Sequence, residues 1–146
     1  ELIEAVKLAK KYDNVTLIEE YIIGREITVG ILDHKALPIV EIIPDHQLYD
    51  YECKYSPGMS QYICPANIDS EKEKKIKKDS ESIFKILGCN GYGRIDFLLD
   101  KNGRYFFLEL NTLPGMTSTS LLPIAAGKSG KSFAQLVNII IRLSRL

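Results

Sequence analysis

Asp96, Glu109 and Asn111 carry three oxygen donors at a spacing that a β-hairpin can bring together, with Arg94 beside them. Residues 93–100 (GRIDFLLD) and 104–111 (RYFFLELN) are apolar-rich runs on either side of Asn102-Gly103, a pair that favours a tight hairpin turn. If those two residues are the whole loop, Lys101 pairs with Arg104, and counting outward puts Asp96 opposite Glu109 and Arg94 opposite Asn111. Directly opposed residues share a face of the sheet, so the four polar side chains gather on one side while Ile95, Leu108 and Leu110 meet a core on the other. A turn one residue longer, with Gly103 in a bulge, shifts the pairing by one and sends one strand's polar set to the other face. Glu109 and Asn111 stay together in either register.

Hard oxygen donors without His or Cys suit Mg²⁺ or Mn²⁺, and a site with few carboxylates takes its remaining ligands from water and substrate phosphates. A solvated sheet face is the plainer reading of the same residues. Arg94 either stabilises negative charge developing on a carbonyl oxygen or simply balances Asp96 and Glu109. Residues 112–120 (TLPGMTSTS) leave the same strand directly. Gly115 permits close backbone approach there, and hydroxyls near a helix N-terminus can donate to a carboxylate or phosphate, although they also serve as ordinary turn and cap residues.

Two further segments carry weaker signals. Lys54 with Tyr49, Tyr51 and Tyr55 could form a lid over a phosphate, or an ordinary solvated loop. Glu19, Glu20 and Glu26 stand at strand ends, where carboxylates could accept from ribose hydroxyls. Cys64 reads as a small core residue.

Several elements must position these groups. The pattern predicts an amphipathic helix over 1–12, then a hairpin-like pair of strands over 15–23 and 26–32 turning at Gly24-Arg25, and a third strand over 36–43 that Pro44 ends. The polar and aromatic stretch 45–59 is longer than a simple connection needs. A short strand over 61–65 follows, then a helix opened by a capping box at Ser70 and Glu73, with Ile76, Ile83, Phe84 and Leu87 as its buried stripe and Gly88 as its stop. A last helix covers roughly 132–143. Strand runs mixed with helices, without strict β-α alternation, predict an α+β fold with a mostly antiparallel sheet and flanking helices.

The 146 residues suffice for one domain, and 45% hydrophobic content fits a globular chain. Nineteen basic and nineteen acidic residues cancel, so no general field draws nucleic acid or an anionic membrane. Three widely spaced cysteines and two histidines make a disulfide framework or structural zinc improbable. No apolar run reaches membrane-spanning length and no signal-peptide layout opens the chain, so a cytoplasmic setting is the default. A first residue other than Met, inside a helical pattern that lacks an N-cap, suggests a piece of something longer.

Gly93-Arg94-Ile95-Asp96, followed by Glu109-Leu110-Asn111 and the run from Thr112 to Leu121, closely resembles the C-terminal part of the D-alanine–D-alanine ligase family of ATP-grasp enzymes. The resemblance extends to residues 18–21, 49–55 and 61–66, and so to essentially the whole chain. It implies the C-terminal ATP-grasp domain, and ATP-dependent joining of two D-alanines through a D-alanyl phosphate, with release of ADP and phosphate, for cell-wall peptidoglycan precursors.

Carried over by motif position, the resemblance makes Asp96, Glu109 and Asn111 ligands of two Mg²⁺ (or Mn²⁺) ions that bridge ATP phosphates. Arg94 and the Gly115 N–H become oxyanion stabilisers, and Ser120 with Leu121 the seat of the second D-alanine's carboxylate. Glu19, Glu20 and Ile22 match the adenine hinge and Glu26 the ribose contact. Lys54 and Tyr55 match a loop closing over the phosphates, and Tyr55 favours D-alanine as acceptor. Glu20 departs from the Lys or Gln of many relatives, which matters only for a side-chain contact to the base.

The resemblance also implies a homodimeric full-length enzyme whose N-terminal domain and other ATP-gripping half are missing from these 146 residues, so this part alone is expected to be inactive. Two rivals share the hairpin: another ATP-grasp carboxylate-amine ligase, and a non-catalytic binding module. The 49–55 and 115–121 segments speak against the first, and the intact Arg94, Asp96, Glu109 and Asn111 against the second.

Overall fold

A computed structural model describes residues 1–44 and 60–144. Lys54 and Tyr55, with Tyr49 and Tyr51, and with them the expected lid, lie outside the described residues.

Among the described residues the strands form one sheet. Strand β1 (Gly24–Leu32), β2 (Lys35–Ala36), β3 (Val40–Pro44), β4 (Ser60–Ile63), β5 (Tyr92–Asp100) and β6 (Tyr105–Asn111) are arranged in the order β4-β3-β1-β5-β6, with β2 paired to β1. Every pairing is antiparallel. Four helices among the described residues accompany it: α1 (Leu2–Ala9), α2 (Ser70–Ile86), α3 (Leu121–Lys128) and α4 (Phe133–Leu143). The α+β class with an antiparallel sheet and flanking helices is therefore as expected.

β1 and β5 are the centre of the sheet because their alternation suits burial on one face at least. Ile27, Val29 and Ile31 of β1 and Ile95, Phe97 and Leu99 of β5 are buried against Ile76 and Phe84 of α2. Burying a side chain of that size stabilises by about 1.5–3 kcal/mol. On the other face, Leu32, Val40 and Ile42 pack with Leu121, Leu122, Ala125 and Ala126 of α3 and Leu136 of α4. α3 is a helix to which the sequence pattern assigns no range; Pro123 is tolerated in it because at the third helical position its missing N–H has no intrahelical partner to lose.

Three local expectations are corrected. Residues 15–23 form no strand, and Gly24-Arg25 is not a turn but the start of β1, paired with Asp100 and Leu99. A β-branched run becomes a strand only when a neighbour takes its backbone groups, and here Val15, Leu17, Ile18, Tyr21 and Ile23 are exposed. The cap of α2 is Asp69, whose carboxylate accepts from the N–H groups of Glu71 (3.1 Å) and Lys72 (3.2 Å), while Glu73 accepts instead from Lys77 (3.0 Å). A carboxylate at the N-cap also meets the positive end of the helix dipole, an advantage a Ser hydroxyl lacks. Leu87 is exposed, because α2 has already ended: Gly88 at φ +68° sends its N–H to Lys85 O and that of Cys89 to Phe84 O, closing the helix as foreseen. The last helix matches its prediction, with a true capping box between Ser132 and Gln135.

Candidate active site

The hairpin β5–β6 reaches its predicted pairing by another route. Asp96 stands opposite Glu109 and Arg94 opposite Asn111, but nearer the turn Phe97 pairs with Phe107 and Leu99 with Tyr105, one residue out of step. The turn is the longer kind: Asp100 N–H donates to Arg104 O (2.8 Å), and Gly103 takes φ +77°. Asp100 organises it. Its Oδ1 accepts from the N–H groups of Asn102 and Arg104, both at 2.8 Å, and its Oδ2 from Arg104 Nε at 2.8 Å. Burial pushes the Asp100 carboxyl up, but the Arg104 side chain and the two backbone N–H groups outweigh it and hold the carboxyl below its ordinary value.

A bulge between Phe97 and Asp96 then absorbs the extra residue, which is Leu108 on β6. The polar face is thus restored, while Leu108 is half exposed and does not join the core as predicted. Ile95 is fully buried and Leu110 packs at the core's edge, as expected.

On the restored face the Asp96 carboxylate is surrounded by donors. Arg94 Nε reaches Oδ1 at 2.9 Å and Arg94 Nη2 reaches Oδ2 at 2.8 Å, a bidentate pair between two largely buried side chains. Thr28 Oγ1 donates to Oδ1 at 2.6 Å, and Asn111 Nδ2 lies 3.3 Å from Oδ2 and 3.1 Å from Glu109 Oε1. Thr28 was missed by sequence reasoning. Its signal was its place two residues after Glu26 on a strand that pairs Thr28 directly with Asp96.

Two carboxylates beside a side-chain amide fit a hard divalent cation; the Asn111 amide presents its Nδ2 to both carboxylates here, and its oxygen is the atom a cation would take. The described residues hold no group of three or more His, Cys, Asp or Glu that could bind a metal by itself. The remaining ligands must therefore come from outside the cluster, as they do for Mg²⁺ on phosphates.

The chain of loop contacts after Asn111 is also defined. Ser120 Oγ accepts from Thr117 N–H (3.0 Å) and lies 2.8 Å from Thr117 Oγ1. When Thr117 donates across that contact, the Ser120 proton is left for another acceptor. Ser120 is the N-cap of α3 yet its side chain makes no cap bond, so the first N–H groups of α3 are not taken by it. Leu121 is buried, leaving only its backbone to face a ligand. Gly115 lies against Ser120: an added Cβ would sit 2.9 Å from Ser120 Oγ.

A family model described as the D-ala D-ala ligase C-terminus matches residues 1–142. The chain belongs to the D-alanine–D-alanine ligase family. A D-alanine–D-alanine ligase of Methylacidiphilum infernorum is 49% identical over all of the chain, which covers 48% of that protein. The crystal structure of the Bacillus anthracis D-alanine–D-alanine ligase complexed with ATP superposes with a TM-score of 0.82 at 36% identity, covering 98% of this chain and 47% of that one. The VanG D-Ala:D-Ser ligase of Enterococcus faecalis does so with a TM-score of 0.81 at 34% identity, covering 98% and 43%. The chain spans about half the length of the curated relatives it matches. Its fold is the ATP-grasp fold of these ligases, and the family's members are ATP-dependent ligases.

Against the family's expected roles, the structure brings Arg94, Asp96, Glu109 and Asn111 together and sets Glu26 on the same face of β1 as Thr28. Glu19 and Glu20 are exposed and Ile22 half-buried, all in the segment outside the sheet, so they are not joined to that cluster. Cys64 packs at the edge of the α3–α4 core, where burial pushes its thiol up against the opposing pull of Lys128 and Lys77. Such a thiol is a packing group, as expected. No helix among the described residues is long and apolar enough to cross a membrane.

Proposed function

We propose that the chain is the C-terminal, metal-holding half of an ATP-dependent D-alanine–D-alanine ligase. The observation that carries this reading is the Arg94–Asp96–Glu109–Asn111 face, assembled in a chain of that family. Asp96, Glu109 and Asn111 would hold two Mg²⁺ or Mn²⁺ ions, whose chemistry is to neutralise charge on the ATP phosphates.

The chain's own residues do the rest on this half. Arg94 and the Gly115 N–H stabilise the oxyanion that develops when the second D-alanine's amine attacks the D-alanyl phosphate. Ser120 Oγ–H and the Leu121 N–H receive that D-alanine's carboxylate, fixing its amine for attack. Glu19, Glu20 and Ile22 take the adenine, Glu26 the ribose, and Lys54 and Tyr55 close over the phosphates. ADP is released when the ATP γ-phosphoryl group passes to the first D-alanine's carboxylate, and phosphate leaves, with loss of a proton from the attacking amine, as the peptide bond forms; the products are D-alanyl-D-alanine, ADP and phosphate for peptidoglycan synthesis, in the cytoplasm and in a homodimeric full-length protein.

The test is the full-length protein with ATP, Mg²⁺ and D-alanine. Phosphate release should require D-alanine and match dipeptide formed, measured by mass spectrometry; strong activity only with another amino acid rejects the reading. A second acceptor is worth including because the D-Ala:D-Ser ligase superposes as well as the B. anthracis enzyme. D-serine supplied with D-alanine separates the two by the mass of the dipeptide.

A further inference from the structure

We infer that Thr28 is a positioning residue for the metal carboxylate, the fixed donor that sets the plane of Asp96. The inference rests on the proposed metal role of Asp96 and concerns what holds that carboxylate still. Thr28 is 1% exposed and directly opposite Asp96 in the β1–β5 ladder. Its Oγ1 lies 2.6 Å from Asp96 Oδ1 and 3.2 Å from Ile95 O. A hydroxyl has one proton, and the shorter contact to the charged acceptor takes it.

The other donors on Asp96 have competing duties. Arg94 must meet a developing oxyanion and Asn111 must offer its own oxygen to a cation, so each bond to Asp96 weakens when its owner turns to its task. Thr28 has no such duty, and its other acceptor, the neutral Ile95 carbonyl, lies farther off at 3.2 Å. A β-branched side chain has few χ1 wells, and burial excludes the water that could replace its hydroxyl. It therefore points one oxygen of Asp96 at the sheet and leaves the carboxylate's remaining lone pairs aimed outward.

The decisive experiment measures Mn²⁺ affinity of the full-length protein in the presence of ADP, from the electron paramagnetic resonance signal of free Mn²⁺, beside thermal melting. Thr28→Val should remain folded and bind Mn²⁺ about 10–100-fold more weakly, the usual effect of losing a group that orients a metal ligand. Thr28→Ser should bind close to wild type. Thr28→Ala replaces the valine variant if that one does not fold. A folded Val or Ala variant with wild-type Mn²⁺ affinity overturns the inference, and so does a Ser variant as weak as Val. Asp96→Asn separates the two levels: if it too keeps full affinity, the metal reading itself is wrong, whereas if it alone loses affinity only the role of Thr28 falls.

Discussion

Glu109 stands opposite Asp96 because Leu108, the residue before it, has no partner across the hairpin. The three-residue turn displaces the pairing by one, and the bulge at Leu108 displaces it back. Removing Leu108 should therefore be kinder to the site than it looks: Phe107 would then lead directly into Glu109, in regular pairing with Phe97 and Asp96. Removing Leu110 instead would carry Asn111 to the core side. Mn²⁺ affinity and melting of the two deletion variants check this, with binding kept in the first and lost in the second.

Arg94→Ala should lower kcat of the full-length enzyme by about 10²–10³-fold, the usual loss for one oxyanion donor, with a smaller change in the KM for D-alanine. Arg94→Lys should not rescue it. A lysine cannot reproduce the two-pronged bond that Nε and Nη2 make to Asp96. Steady-state kinetics on the pair of variants decides; an effect confined to KM contradicts the role.

Gly93→Ala places a methyl 2.9 Å from the Phe84 ring and 3.2 Å from the Asn111 carbonyl. Neither can retreat freely, since Phe84 is fully buried and Asn111 ends the paired strand. The expected cost is about 1–3 kcal/mol of stability, as for other overpacked positions, together with weaker Mn²⁺ binding through displacement of Asn111. Urea unfolding and the Mn²⁺ titration measure the two parts separately.

Asp100 gives a pH dependence of defined sign. Its carboxyl is held below the ordinary value in the fold, so its contribution to stability is complete above the unfolded pKa of about 3.9 and is lost as pH falls through the lower folded value. Asp100→Asn should lower the melting temperature at neutral pH, and the gap between variant and parent should narrow below about pH 4. Melting curves at pH 7 and in that acid range would show it; a gap constant with pH contradicts the assignment.

Much of this site was legible because its residues sit on one hairpin, where opposed positions follow from counting. The count succeeded through two displacements that cancel, and sequence alone could suggest the longer turn but not the bulge. Thr28 was harder to see. Its link to Asp96 spans 68 positions and depends on β1 lying beside β5, a choice that strand patterns leave open. The error at 15–23 has the opposite cause: Val15, Leu17 and Ile18 have strand-like side chains, yet β structure needs a second chain segment and none among the described residues pairs with them. Ser70 lost its capping role to Asp69 by a single position, the ordinary uncertainty of a helix end.

The sheet order has a consequence for local opening. β1 and β5 are paired on both sides, while β6 is the outermost strand and carries half-exposed Phe107 and Leu108. Amide exchange should thus be slowest at Thr28 and Asp96 and much faster at Glu109, because an edge strand can fray without unfolding the domain. Two of the proposed metal ligands then belong to a strand that breathes against an immobile partner, and a bound cation would act as a clasp across that seam, slowing exchange in β6 while leaving β1 unchanged.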